Sequence, residues 1–298
     1  MNSLRPVIPK KRQLGGNMPV NVRRVQVKNL ITKSGLGGGY AINPYVGCPH
    51  KCVYCYAACI NYSGVERAEE WGTFLDVKIP SEHLNLAKIF RRGIFFSSMT
   101  DAYNPYEERA LVTRKILQAL LPAEPQISIL TKSKLVTRDI DLFKQFKRVK
   151  IAFSFSSIDD GFRRRAEPYA SSPRDKIAAL KLLKNEGIAT SVFIAPIFPE
   201  ISDPVAISEA VAPYVKSIWY DSLNLRAPNR DKVLAFAARL RPDLIPLYRD
   251  IYLRKNKLYW IKLRKEIKNY CTRRGIRHSV FFQPGQRGGE KTRTLCHR

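Results

Sequence analysis

The chain has no apolar run of the ~18 residues that a membrane span requires, so neither a membrane-embedded role nor a membrane partner is expected. Its opening, MNSLRPVIPKKRQLGG, is basic but carries no apolar h-region, so no secretory signal is expected either. Cysteine is scarce: there are six in 298 residues, and three of them fall within eight positions. That is too few for a disulfide framework. With no export signal, it points to a reducing cytoplasm and to a metal or redox role for the group of three. Acidic residues are missing from the first 65 positions; Glu66 is the first, after nine Lys or Arg. No second C-x2-C pair follows the cysteine group, and there is no internal repeat.

What is present is an ordinary globular composition, 45% hydrophobic and 26% charged, which argues against intrinsic disorder as the main state. The length suits one large domain, or one domain with an appendage. The charge is not ordinary. Lys and Arg number 52 against 25 Asp and Glu, a net of +27 and a pI near 10.1. From Arg239 to Arg298 alone, 17 basic residues face 4 acidic ones. An excess gathered at the two ends points to a polyanionic partner, nucleic acid before any other.

Three regions are expected. Residues 1–40 form a basic N-terminal segment that reads as irregular, rich in Pro and Gly and closing in Gly35-Leu36-Gly37-Gly38-Gly39. This glycine run lacks the Lys-Ser/Thr of a phosphate-binding P-loop and reads as a flexible entry. Residues 41–228 alternate short β-like runs with helical patterns. Strands are expected at Tyr40–Val46, Gly93–Ser98, Gln126–Thr131, Val149–Phe155, Ile188–Ala195 and Ser217–Leu223. Helices are expected at Glu107–Leu121, Arg138–Phe146, Pro173–Glu186 and Pro204–Val215. Such alternation implies a parallel sheet with helices outside. Six units suggest an α/β partial (β/α)6 TIM-type barrel, with its chemistry at the C-terminal ends of the strands.

Residues 229–298 form a basic, mainly helical C-terminal extension, with helices at Asp231–Leu240 and Asp243–Arg274 and an extended run at Ile276–Gln283. Arg254, Lys255, Lys257, Lys262, Arg264, Lys265 and Lys268 crowd one stretch, with Tyr252, Tyr259 and Trp260 among them. Singly, each Lys reads as part of a solvated helix face. Together, with aromatic rings interleaved, they form a candidate surface for tracking phosphates and stacking bases.

The sharpest signal is Asn43-Pro44-Tyr45-Val46-Gly47-Cys48-Pro49-His50-Lys51-Cys52-Val53-Tyr54-Cys55-Tyr56. It is a C-x3-C-x2-C pattern directly after the first expected strand. Three thiolates on one tight loop can grip three irons of a [4Fe–4S] cube and leave the fourth iron open, as a reactive site requires. A structural zinc site is the competing reading, with Cys59 or His50 as fourth ligand. His50 reads better as a residue that positions the loop.

In this context C-x3-C-x-aromatic-C resembles the radical S-adenosylmethionine (SAM) superfamily. The segments around it are similar to the spore photoproduct lyase-like, or DNA repair photolyase-like, branch. They are Ile42-Asn43-Pro44-Tyr45, Tyr54-Cys55-Tyr56-Ala57, Thr100-Asp101-Ala102-Tyr103-Asn104-Pro105-Tyr106-Glu107, Thr131-Lys132, Phe153-Ser154-Phe155, Glu167-Pro168 with Ser172-Pro173, and Ile194-Ala195-Pro196-Ile197-Phe198-Pro199. They occur in the branch's order over roughly residues 25–225. The resemblance implies a partial barrel of the radical SAM kind. It implies a [4Fe–4S] cluster and SAM as cofactors, with SAM cleaved to a 5′-deoxyadenosyl radical that abstracts hydrogen from substrate.

Carried residue by residue, it makes Cys48, Cys52 and Cys55 the cluster ligands and packs Tyr54 against them. Thr100 and Lys132 would hold the methionyl end of SAM, with Asp101 beside them, and Ser154 would touch the nucleoside. Tyr56 would lie near SAM in the hydrogen-transfer path. One position departs from the branch's lyase: Ser98 stands where the lyase proper carries a hydrogen-donating cysteine. An alcohol O–H bond is too strong for that task, so either Tyr56 or Cys59 supplies the hydrogen, or the chain does not split a thymine dimer by that route.

The expected activity is therefore a radical SAM enzyme acting on a nucleic-acid base, in DNA rather than RNA, as a repair lyase or a base-modifying enzyme. It would work as a monomer in the cytoplasm with an electron donor such as a ferredoxin or flavodoxin. Two alternatives remain from the sequence: the same chemistry on RNA, a peptide or a metabolite, and a non-catalytic zinc-stabilised nucleic-acid-binding protein.

Overall fold

A strand buried on both faces reads as an apolar run, and a helix joining two such strands holds them parallel. The computed structural model, which describes residues 20–34, 39–59, 69–81, 84–96, 98–225 and 227–282, has this form over most of its length. Its strands are β1 (Asn21–Val27), β2 (Ile31–Lys33), β3 (Tyr40–Ile42), β4 (Tyr45–Val46), β5 (Phe74–Pro80), β6 (Gly93–Phe96), β7 (Gln126–Thr131), β8 (Arg148–Phe155), β9 (Ala189–Ile197), β10 (Ile218–Ser222) and β11 (His278–Val280).

The main sheet runs β11-β10-β9-β8-β7-β6-β3-β2. Within it β3, β6, β7, β8, β9 and β10 pair in parallel, as the partial (β/α)6 barrel requires. β11 adds in parallel beyond β10, and β2 lies antiparallel on β3. A smaller sheet, β1-β5-β4, sits beside the start of the barrel.

Alternation along the strands separates two faces. Ile151, Phe153 and Phe155 of β8 and Ile194 of β9 are buried in the core. Lys176, on the helix Pro173–Asn185, lies 4.2 Å over the Phe155 ring, which places this face under the helices. The opposite face, bearing Ser154, Phe193 and Trp219, looks into the barrel. The main core extends from Leu30 to Phe282 and takes in Trp260, Leu263, Ile267 and Cys271 of the helix Leu258–Arg273. A second cluster of Phe162, Phe198, Phe236 and Tyr248 packs against Val53 and Tyr54 of the cysteine loop.

Several elements differ from expectation. The segment over 1–40, read as irregular, contains β1 and β2; in β1 the consecutive exposed Arg23 and Arg24 interrupt the apolar alternation that marks a strand. The glycines at 35–38 and the tail beyond 282 lie outside the described residues. Tyr40–Val46 is not one strand. Pro44 cannot donate to a ladder, and here the chain leaves β3 for the small sheet, where the Pro44 carbonyl accepts from the Lys78 amide.

β5 was not foreseen. It supplies the partner of β4, and its buried residues include Asp76, which pairs with Arg23 at 2.7 Å. The expected helix Glu107–Leu121 breaks at Leu111, which has φ 54. Arg138–Phe146 is a 3-10 turn followed by the short helix Ile140–Phe143. The long C-terminal helix divides into Ile245–Tyr252 and Leu258–Arg273 around Lys255, with φ 59.

Gly47 opens the cysteine loop at φ +81, and a Cβ there would lie 2.4 Å from the Phe74 carbonyl oxygen. Gly187 ends the helix Pro173–Asn185 at φ +77 with open space around it. A non-glycine residue at such φ costs about 1–3 kcal/mol. We expect Gly187→Ala to cost that alone and Gly47→Ala clearly more, read as the fall in thermal midpoint. Equal midpoints for the two variants would contradict the close approach of β5 to the loop.

Candidate functional site

The cysteine loop follows β4. Its path is fixed by Gly47, by Lys51 in the left-handed region (φ 52), and by amide bonds from Lys51 to the Cys48 carbonyl and from Cys55 to the Cys52 carbonyl, each 3.2 Å. The Val53 amide reaches the Ala166 carbonyl at 2.9 Å, tying the loop to the crossover after β8. Cys48 is buried, Cys52 and Cys55 are half-buried, and all three are free thiols. Burial pushes Cys48 up to about 12, opposed by the backbone amides of Asp101 and His50, which donate to its sulfur. Burial raises Cys52 and Cys55 as well, opposed at Cys55 first by the amides of Ala57 and Ala58, and at both by the Lys132 charge. Thiols that resist ionisation alone, yet face amides and a cation, suit a metal that ionises them on binding.

Cys48 also feels the charge of Cys55, and Cys52 feels that of Cys55 and Cys48. Among the described residues, however, no three His, Cys, Asp or Glu side chains are grouped as ligands of one ion. His50, a fourth ligand in the zinc reading, has both ring nitrogens engaged: Nε2 at 2.9 Å from Asp101 Oδ2 and Nδ1 at 3.0 Å from the Tyr169 carbonyl. The Cys59 side chain lies outside the described residues. With His50 engaged elsewhere, the loop offers three thiols, a donor set that fits a three-thiolate iron–sulfur core.

Asp101, expected beside SAM, has another task. Its carboxylate accepts from His50, from Thr131 Oγ1 at 2.8 and 3.0 Å, from the Lys132 amide at 2.8 Å and from the Tyr103 amide at 2.9 Å. Both oxygens are occupied, so Asp101 ties the cysteine loop to the end of β7 and presents no free lone-pair face to a ligand. Burial would raise its carboxyl, but the His50 ring and these donors hold it below the usual range. Thr100 is buried with its hydroxyl donating to the Tyr45 carbonyl at 3.2 Å. The following segment is anchored by Glu107, which receives Tyr45 OH and pairs with Arg138 at 2.8 Å.

Lys132 and Ser154, on neighbouring strand ends, meet at 2.5 Å. Lys132 also stands 3.5 Å from Glu167 and 5.6 Å from the Tyr54 ring centre. Glu167 Oε1 receives Tyr54 OH and, at 2.7 Å, Ser156 Oγ. Oε2 of Glu167 is buried without a hydrogen-bond partner. Burial would raise this carboxyl, but Lys132, Lys176 and the two hydroxyls hold it near 2. A partly accessible ammonium beside an orphaned carboxylate oxygen offers both charges that an amino-acid zwitterion needs, so the residues present fit the methionyl end of SAM.

Sequence reasoning gave no role to Glu167 or Lys176. The latter is fully buried, its Nζ donates to the Ser154 carbonyl at 2.9 Å, and burial lowers it to about 8. Its sequence context is an ordinary capped helix start, which gives no sign of burial.

Tyr56 donates to the Ser98 carbonyl at 2.7 Å, and Asn43 Nδ2 donates to Ser98 Oγ at 2.8 Å. The phenol thus reaches Ser98, the position at which the resemblance expects the lyase's cysteine. Of the expected nucleic-acid residues, Arg254, Lys255, Lys257, Lys262, Lys265 and Lys268 are exposed. Arg264 is half-buried and donates to the Phe282 carbonyl at 2.5 Å, so it holds β11's end in place. The aromatic residues do not interleave with the basic face. Trp260 is buried against Phe282, Tyr259 OH accepts from the Glu200 amide, and Tyr252 packs on Tyr248. Among the described residues that stretch presents cations without Tyr252, Tyr259 or Trp260 as a stacking platform.

The radical SAM superfamily profile matches residues 42–205, more than half of the chain. The chain belongs to that superfamily, whose members use a [4Fe–4S] cluster and SAM. It is 33% identical over 221 residues to an uncharacterized protein of Methanocaldococcus jannaschii, covering 72% of this chain and 83% of that one. It is 26% identical over 229 residues to an uncharacterized protein of Mycobacterium tuberculosis, covering 72% and 67%. In fold it is similar to a spore photoproduct lyase complexed with dinucleoside spore photoproduct, with TM-score 0.63 over 93% of this chain and 87% of that one at 15% identity. A mutant lyase with bound AdoMet and the same dinucleoside gives TM-score 0.54 over 76% and 71%, also at 15% identity. These matches make the fold spore photoproduct lyase-like. Among the described residues no helix is long and apolar enough to cross a membrane.

Glu167 supplies a pH signature. Its folded carboxyl lies near 2 against an ordinary 4.5, so its stabilisation is complete above pH 4.5 and is lost as pH falls toward 2. Denaturation midpoints of metal-free protein should decline through that window, and Glu167→Gln should be less stable at neutral pH with a flatter decline. Parallel curves for the two proteins would contradict the network.

Proposed function

We propose that this is a radical SAM enzyme acting on a nucleic-acid base, as a DNA repair lyase or a base-modifying enzyme. The observation that carries the chemistry is the free three-thiol loop packed, through Tyr54 and Glu167, against the Lys132–Ser154 pair. Cys48, Cys52 and Cys55 hold the cluster. Lys132 takes the methionyl carboxylate, Thr100 Oγ1 and the orphaned Glu167 oxygen face the amino group, and Ser154 lies toward the nucleoside. Tyr54 fills the space between loop and crossover and excludes water from the thiols. When bound, cluster and SAM together supply a one-electron cleavage that yields a hydrogen-abstracting carbon radical. The chain's own contribution is to bind, orient and shield that pair.

Tyr56 takes the place of the missing cysteine as hydrogen donor. A phenolic O–H is weaker than the Ser98 alcohol O–H, and it is held at that residue's carbonyl. Two features support a nucleic-acid substrate: the net charge of +27, and a fold shared with a lyase complexed with dinucleoside spore photoproduct. The exposed cations over 254–268 supply phosphate contacts. Base recognition falls to the barrel mouth, because the aromatic residues of that stretch are turned inward. A duplex substrate would present its base extruded from the stack. The partial barrel over 41–228 is the catalytic unit, with 1–40 and 229–298 as its basic flanks. A ferredoxin or flavodoxin delivers the electron to a cytoplasmic monomer.

Anaerobically reconstituted protein, reduced in the presence of SAM, should release 5′-deoxyadenosine, and Cys52→Ala should abolish release. With uniformly deuterated DNA, label should pass to the deoxyadenosine. Affinity for single-stranded DNA should fall steeply with salt, as a footprint of several phosphates requires. Full iron loading without cleavage would contradict the enzyme reading. Label arriving only from RNA, peptide or metabolite pools would move the substrate to that class.

A further inference from the structure

The third thiol of the loop is met from the side of the small sheet. Just before β5 the chain makes a tight turn over Glu70–Thr73. The Thr73 amide donates to the Glu70 carbonyl at 3.1 Å, and the Thr73 hydroxyl donates to the same oxygen at 2.7 Å. Gly72 permits the turn, with φ +97, and a Cβ there would lie 2.8 Å from Lys51 Cγ. The turn therefore touches the cysteine loop directly.

Its place is fixed from two further sides. The Asn21 amide at the start of β1 donates to the Thr73 carbonyl at 2.9 Å, and Asn21 Nδ2 donates to Glu69 Oε1 at 2.8 Å. Lys232, on the helix Ala227–Leu240, pairs with Glu70 at 3.1 Å.

The turn carries Trp71. Its ring stands edge-on to Phe74, with centroids 5.9 Å apart at 88°. The Phe74 ring in turn occupies the space over Gly47, 2.8 Å from the Cβ that this glycine lacks. The indole Nε1 is buried, and its N–H is directed at the Cys55 sulfur, where it favours the ionised form. With the amides of Ala57 and Ala58, three N–H groups face this one sulfur. Two of them are backbone. The indole is the one that the sequence can change.

An indole N–H donates and cannot accept, so burial against a sulfur needs that sulfur to carry negative charge. A thiolate bound to iron carries it, and carries more when the iron–sulfur core gains an electron. Hydrogen bonds to ligand sulfurs are among the factors that set the potential of such cores, and groups beyond the ligands tune a metal site through them. A donor on the sulfur stabilises the reduced state more than the oxidised one, which raises the potential.

We propose that Trp71 is a positioning residue that acts through Cys55: its indole N–H, aimed at that sulfur, raises the reduction potential of the iron–sulfur core. The inference rests on Cys55 as a ligand of that core and is independent of the substrate.

The test is a redox titration of full-length, anaerobically reconstituted protein without SAM, followed by electron paramagnetic resonance. Trp71→Phe keeps a ring against Phe74 and deletes the N–H. At equal iron content its midpoint should lie at a more negative potential than that of wild type. Wild-type protein grown with 5-fluorotryptophan has a more acidic N–H in nearly the same shape, and its midpoint should move the other way. The same labelling of Trp71→Phe, which retains Trp219 and Trp260, should leave the midpoint in place. A Trp71→Phe midpoint at or above wild type, or an equal fluorine shift in both proteins, would overturn the role. If Trp71→Phe takes up no iron, the labelled wild type decides alone, and an unshifted midpoint overturns the role. If wild-type protein itself takes up no iron, the ligand assignment fails and the inference falls with it.

Discussion

The arrangement depends on one buried carboxylate. Asp101 collects a ring nitrogen from the cysteine loop, a hydroxyl and an amide from the end of β7, and an amide from its own turn. Its own amide points back at the Cys48 sulfur. A single side chain thus sets the distance between the thiols and the strand that carries Lys132. Removing one partner from a buried charged pair costs about 3–5 kcal/mol, so this tie is stiff on the scale of the whole fold's stability. Loop and lysine follow strands of different sheets and are separated by about eighty residues of chain, and this tie, together with Tyr54 and Glu167, holds them in register.

A second layer of charge follows from the first. Lys132, Glu167 and Lys176 form a line of alternating sign at the ends of β7 and β8, with Tyr54 and Ser156 completing the carboxylate's shell. Burial opposes every charge in this line, and each persists because its neighbour has the opposite sign. One oxygen, Glu167 Oε2, is left over. Such a line tolerates a zwitterionic ligand better than a simple anion, because the ligand extends the alternation.

The barrel and the cysteine loop were legible in the sequence because both are written in local pattern. β7, β8, β9 and β10 read as apolar runs of strand length, and the helix Pro173–Asn185 has a Ser cap, a proline start and a Gly stop. The three cysteines carry their spacing with them. The parts that were not legible depend on distant partners. β1 and β5 are strands because they pair with each other across 53 residues, and neither has a decisive pattern alone. Lys176 looks like a surface residue in sequence and becomes buried where its helix packs over Phe155. Tyr252, Tyr259 and Trp260 were read as a stacking surface from their proximity to lysines, but their helical phase places them against the core. Arg264 is drawn the same way toward Phe282.

The central claim is that three thiolates leave one iron open for SAM. Low-temperature electron paramagnetic resonance of the reduced, iron-reconstituted protein, with and without SAM, tests it most directly. The account predicts a [4Fe–4S] signal whose g-values shift when SAM is added and which is absent from Cys48→Ala. A signal indifferent to SAM, or a colourless protein that loads zinc in place of iron, would contradict it.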